Sequence, residues 1–267
     1  MKATTLLLSA AAALALTVST ARASVTINEI RTDQGGSDAS EYFELAGNPG
    51  ESLDGLTYLV IGDASSGPAI PGGRSGAIET VVDLTGLTIP ADGFFLAAEE
   101  TFGTGGLGLT GSVDLPLLSN ALNFENSDNV THLLVSGFTG MLNDLLDTSG
   151  GANPGDPDGI LDTTPWTSVL DSISLIETPN PPTSNTNEFD YSGDPALAAG
   201  SGGIGPDGTF VPGHVLRFPN GSGPFAIGPF DGTAPADTPG VANVPEPATI
   251  TLLALGGIGL LRRRRRA

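Results

Sequence analysis

Short runs in which apolar and polar positions alternate, bounded by Gly, Pro, Asn or Asp, dominate the middle of the chain. They are Val25-Thr26-Ile27-Asn28-Glu29-Ile30, Glu41-Tyr42-Phe43-Glu44-Leu45, Thr57-Tyr58-Leu59-Val60-Ile61, Thr80-Val81-Val82-Asp83-Leu84, Gly93-Phe94-Phe95-Leu96-Ala97, Val130 to Val135 and Ser168 to Ile176. A period of two, enriched in β-branched and aromatic residues, predicts strands. Between residues 24 and 243 no helical apolar stripe lasts three turns without a Gly or Pro, so helices are not expected there. Short strands bury a face by closing against a second sheet, and an all-β sandwich follows. Gly62 to Gly76, Thr101 to Gly111 and Tyr191 to Gly213 lack periodicity and are expected as surface loops. Asn220 to Asn243, rich in Gly, Pro and Asp, reads as a linker that ends the domain.

The two ends carry a different pattern. Lys2 supplies a positive n-region, Leu6 to Val18 an apolar h-region, and Ala21-Arg22-Ala23 a small-x-small cleavage site before Ser24. Residues 1–23 therefore read as a secretory signal helix that engages Sec-type export machinery. At the other end Val244-Pro245-Glu246-Pro247 precedes the apolar run Ala248 to Leu261 and five consecutive arginines, Arg262, Arg263, Arg264, Arg265 and Arg266. This run of 14 residues is shorter than the roughly 20 that span a bilayer unaided, and spanning needs local thinning or snorkelling Arg stems. The arginines set the cytoplasmic end. The three-part tail, residues 244–267, resembles the PEP-CTERM sorting signal. That resemblance implies a bacterial protein exported through the inner membrane, held by a transient C-terminal anchor and processed near Pro245-Glu246-Pro247 by an exosortase-like membrane protein. Release to the cell surface or extracellular matrix follows. An ordinary C-terminal anchor would share the topology without cleavage.

The order of pieces in the body, residues 24–243, made of a domain over 24–219 and the linker after it, resembles a lamin-tail domain. Those pieces are Ile27-Asn28-Glu29-Ile30, Glu41 to Leu45 followed by Asn48-Pro49-Gly50, Leu53-Asp54-Gly55 before Thr57-Tyr58-Leu59, Ile89 to Ala97, Ser127 to Leu134, and a closing Thr238-Pro239-Gly240-Val241-Ala242-Asn243. The resemblance implies an immunoglobulin-like β-sandwich. The sequence departs from the family in length, with a long insertion over residues 138–213, while Arg217 stands where the family tends to place a basic residue near its last strand.

Charge sharpens the picture. The chain of 267 residues has 10 Lys+Arg against 30 Asp+Glu, a net charge of −20. Seven of the bases lie in the two end segments with only one acid, Glu246, so the body keeps three bases and 29 acids, a net charge of −26. Nucleic acid is excluded as a partner, since binding it needs a basic surface that releases counterions. Anionic exopolysaccharide or other surface proteins would be met through bridging divalent cations. Absence of Cys removes disulfides, thiol nucleophiles and thiolate metal sites.

Candidate chemistry is sparse. Asp144, Asp147, Asn153, Asp156, Asp158 and Asp162 surround a Gly at a bend, and such alternating oxygens suit Ca²⁺. The spacing is not an EF-hand, because Pro154 and Pro165 fall where the first ligand and the bidentate Glu belong. A looser Ca²⁺ site at Asp147, Asn153, Asp156, Asp158 and Asp162 is set against a plain solvated acidic loop. Gly103-Thr104-Gly105-Gly106-Leu107-Gly108 fits G-x-G-x-x-G but lacks the following helix that a dinucleotide site requires. Glu41 and Glu44 are a formal carboxylate pair for a hydrolase, with exposed strand positions the simpler reading. His132 and His214 have no second His nearby and read as satisfied core or edge residues, and Trp166 as a core plug. The expectation is a non-enzymatic exported surface or matrix protein with no required cofactor, a structural or adhesive module. A Ca²⁺-dependent binding module is the alternative, and an extracellular hydrolase a third reading.

Overall fold

The structure is a computed structural model that describes residues 25–36, 40–62, 75–103, 109–122, 124–150, 157–179, 189–230 and 237–243. The expected signal helix, with its cleavage residues Ala21, Ala23 and Ser24, and the hydrophobic helix of the sorting tail lie outside these residues. Among the described residues no helix is long and apolar enough to cross a membrane.

All seven strands expected from the alternation form, within three residues of their sequence bounds: β1 (Thr26–Arg31), β2 (Tyr42–Ala46), β3 (Leu56–Gly62), β4 (Ala77–Asp83), β5 (Phe94–Glu99), β7 (Val130–Ser136) and β8 (Ser168–Leu175). Four shorter strands join them: β6 (Leu115–Leu117), β9 (Gly203–Ile204), β10 (His214–Arg217) and β11 (Phe225–Ile227). With two to four residues each, these present too little periodicity to be read from sequence. A single turn of 3-10 helix, Pro195–Leu197, is the only helical element among the described residues.

The strands make two sheets, ordered β11-β10-β1-β2-β5-β6 and β4-β3-β7-β8-β9. Pairing is antiparallel except β5 with β6 and β8 with β9. The main core lies between the sheets and contains Ile27, Ile30, Phe43, Leu45, Tyr58, Val60, Leu134, Ile173 and Val215. At its centre the rings of Phe43 on β2 and Tyr58 on β3 stack across the sandwich, 3.7 Å apart and 4° from parallel.

The outer faces depart from expectation. Alternation predicts one solvated face, yet β1, β2 and β3 are buried at every position. The connecting segments cover both sheets. Over the second sheet the insertion contributes Leu146, Leu161, Tyr191 and Leu197 to a further cluster with Leu59, Ile61, Leu133 and Val135, and the half-buried Trp166 packs against its edge. Over the first sheet Leu109 joins Tyr42, Leu96 and Ala98. Two segments read as external from their composition are therefore structural. Within Tyr191 to Gly213, residues Tyr191, Leu197 and Val211 are buried. Within the expected linker 220–243, β11 pairs with β10, and Asp237, Thr238 and Asn243 are buried. Glycine and proline govern backbone freedom, not exposure, which is why composition misplaced these segments.

Candidate functional site

Residues 237–243 form a strap across the outer face of the first sheet, and the side chains beneath it are ionic. A bulge in β1 creates this arrangement. The β1–β2 register shifts between Ile27 and Glu29. An extra residue at a bulge re-aims its neighbours, so Ile27 and Ile30, three residues apart, both reach the inter-sheet core. Asn28 and Glu29 both turn to the other face, where Asn28 Nδ2 donates to Glu44 Oε1 at 2.7 Å and the Tyr42 hydroxyl donates to Glu29 Oε1.

The strap supplies what these carboxylates lack. Thr238 donates to Glu29 through its backbone N–H (3.0 Å) and its hydroxyl (2.8 Å). Gly240 N–H donates to Glu44 Oε2 at 2.5 Å. Asp237 meets Arg31 Nη2 at 2.5 Å and His214 Nδ1 at 2.9 Å. Asn243 closes the strap: its N–H donates to Asn220 Oδ1 and its Nδ2 to the Arg217 carbonyl, at 2.9 and 2.8 Å. Arg31 also donates to the Asp33, Pro229 and Phe230 carbonyls, tying the chain before the strap to the same place. Gly228 is required here, since a Cβ at that position would lie 2.0 Å from His214 Nδ1.

Glu29, His214 and Asp237 are close enough to share a cation. The geometry serves an imidazolium instead. Nε2 faces Glu29 at 3.0 Å while Nδ1 faces Asp237 at 2.9 Å, so the ring itself occupies the space between the carboxylates. Burial opposes charge on His214, but its contacts with Asp237 and Glu29 outweigh that and raise its pKa. Burial likewise opposes ionisation of Asp237, and His214 with Arg31 nevertheless holds its carboxyl below the ordinary range. Glu44, farther from these cations, is raised well above the ordinary value by burial and by Glu29.

A second buried pair joins the two sheets. Arg217 Nη2 lies 2.6 Å from Asp171 Oδ2, its Nε donates to the Ile27 carbonyl at 2.7 Å, its Nη1 to the Gly223 carbonyl at 2.8 Å, and its guanidinium stacks on Phe225 at 4.3 Å. Asp171 also accepts the Ile27 N–H at 2.9 Å. A cleft of about 260 Å³ above this pair, lined by Thr26, Leu170, Gly200 and Ser201 among others, thus has a floor whose charges neutralise each other.

The residues singled out from sequence are placed as follows. Glu41 and Glu44, read as exposed, are buried: Glu41 accepts the Phe124 N–H at 3.0 Å, and Glu44 is committed to Asn28 and the strap. His132 is buried, and its Nδ1 lies 2.7 Å from the Tyr58 hydroxyl while Nε2 has no hydrogen-bond partner among the described residues. Burial depresses its pKa to about 3, so the ring is neutral. His214, read as an isolated core residue, is the centre of the ionic cluster. Of the expected Ca²⁺ ligands, Asn153 and Asp156 lie outside the described residues. Asp147 is buried and accepts from Asp158 N–H, Gly159 N–H and the Tyr191 hydroxyl at 3.1, 2.9 and 3.0 Å. Asp162 accepts from Thr148 and the Ser149 hydroxyl, and Asp158 from Ile160 N–H. Asp158 and Asp162 thus bind the loop's own donors, and Asp147 binds both those and Tyr191. Sequence reasoning did not nominate Glu29, Arg31, Tyr42, Asp171 or Asp237. A usable signal existed in Arg31, one of only three bases in the body and set in a strand otherwise destined for burial.

Residues 243–266 match the PEP-CTERM protein-sorting motif. The match begins on Asn243, the last described residue of the strap, and includes Pro245, Glu246, Pro247 and Arg262 to Arg266, all outside the described residues. Comparison with curated proteins and with solved structures returns no match. The motif marks a chain sorted by an exosortase system to the cell surface, through export and a transient C-terminal anchor.

Proposed function

We propose that the mature body is a non-catalytic structural or adhesive module of the cell surface or extracellular matrix, freed from its anchor by an exosortase-like membrane enzyme that cuts near Pro245-Glu246-Pro247. The observation that carries this reading is the use of the ionisable side chains. Glu29, Glu41, Glu44, Asp171, His132 and His214 are buried, and their polar contacts hold strands, strap and covering segments together. A hydrolase instead needs convergent groups that open on a substrate cleft. The lamin-tail likeness fits the same role as a secreted immunoglobulin-like module. Its quoted pieces fall on β1, β2, β3, β5, β7 and the strap. The experiment is fractionation of cells with and without the exosortase, following the mass of the C-terminus and co-fractionation with exopolysaccharide. Expected is a shorter, surface-released form that depends on the exosortase. An unchanged C-terminal mass and location without the enzyme would overturn the reading.

A further inference from the structure

Asn243 is fastened to Asn220 and Arg217, and the apolar run begins at Ala248, so four residues, 244–247, lie between them in the sequence. Four residues, fully extended, reach about 14 Å. Roughly 5–8 Å of that lies within the headgroup zone of the bilayer. The remaining gap of less than about 10 Å is narrower than the spacing of two packed sheets. No wall of an active-site cleft fits between the body and the membrane.

A peptide recognised by an enzyme is held extended, with successive side chains in separate pockets. Residues upstream of Val244 cannot adopt that form while Thr238, Gly240 and Asn243 are committed to Glu29, Glu44 and Asn220. Side chains of the sheet hold the strap in these contacts, and the backbone bond within it, from Val241 N–H to the Thr238 carbonyl, is local. Release of residues 237–243 would add about 25 Å of reach.

Resting on the sorting reading above, we propose that the strap 237–243 gates processing: it must leave the outer face of the first sheet before the membrane enzyme can grip the chain around Pro245-Glu246-Pro247. Cleavage of a folded substrate then follows the population of the open form. The strap therefore sets how long the body stays anchored.

The test is a pulse-chase of the full chain in cells that contain the exosortase, with the C-terminal mass as readout. One variant inserts eight Gly/Ser residues between Asn243 and Val244, which leaves every strap contact in place. It is expected to be processed about tenfold faster than the parent. A second, Thr238→Val, removes the hydroxyl that bonds Glu29, and is expected to raise the processing rate about tenfold without the insertion and not at all with it. Equal rates for the parent and the insertion variant overturn the gate, as does slower processing of Thr238→Val. A Pro245→Ala/Glu246→Ala variant separates the two readings. If it is processed like the parent, the sorting reading fails, whatever the strap does.

Discussion

His132 and Tyr58 show how a single buried pair makes the body sensitive to acid. Unfolded, the imidazole titrates near its ordinary 6.5, but folded it does so at about 3. Its contribution is intact above pH 6.5 and is lost as pH falls toward 3, by about 5 kcal/mol over the whole window. A Tyr58→Phe/His132→Leu variant should flatten that acid limb in urea titrations, whereas Tyr58→Phe alone, by orphaning Nδ1, should cost about 1–3 kcal/mol at neutral pH. Arg217 is the opposite case, a charge whose every described contact is met. Arg217→Met strands the Asp171 carboxylate in the interior and should lower stability by about 3–5 kcal/mol, with the Arg217→Met/Asp171→Leu pair milder. Such roles were only partly legible beforehand. Alternation identified the strand carrying His132, but the partner of its ring lies 74 positions away. Glu41 and Glu44 were misjudged because a strand pattern tells which positions share a face, not what covers that face.

At the scale of elements, the seven longer strands were readable because each holds several apolar alternations. The bulge in β1 was not, since one extra residue in Ile27-Asn28-Glu29-Ile30 looks like an imperfect alternation. The strap was legible only as a closing motif, because its stability resides in Glu29 and Glu44 on distant strands. Shortening the body from residue 243 to residue 236 should cost about 3–5 kcal/mol in urea unfolding, as both carboxylates lose donors. In the acidic loop, Asp147 and Asp162 already accept from backbone and hydroxyl donors. Chelation, or addition of about 1 mM Ca²⁺, is therefore expected to leave the melting temperature within about 1 °C, as differential scanning fluorimetry would show.

For the whole molecule the decisive feature is where its few cations sit. Of the body's three arginines, Arg31 and Arg217 are buried and Arg74 lies outside the described residues, so the described surface carries a large excess of acids that repel one another. Self-repulsion of this kind is screened by salt, and raising NaCl from about 0.02 M to about 1 M should raise the melting temperature by roughly 5 °C. Alkaline pH acts on the cluster under the strap: the raised pKa of His214 means its contribution is full below 6.5 and is lost as pH climbs through the folded value. The strap also imposes an order of events in time. Glu29, on the first strand, receives two of its donors from Thr238, 209 positions later. At a synthesis rate of about 5–20 residues per second, the beginning of the body waits on the order of 10–40 s for its end. Until that end has been made, Glu29 and Glu44 lack the strap's donors, so the first sheet is completed last, only a few residues before the apolar run.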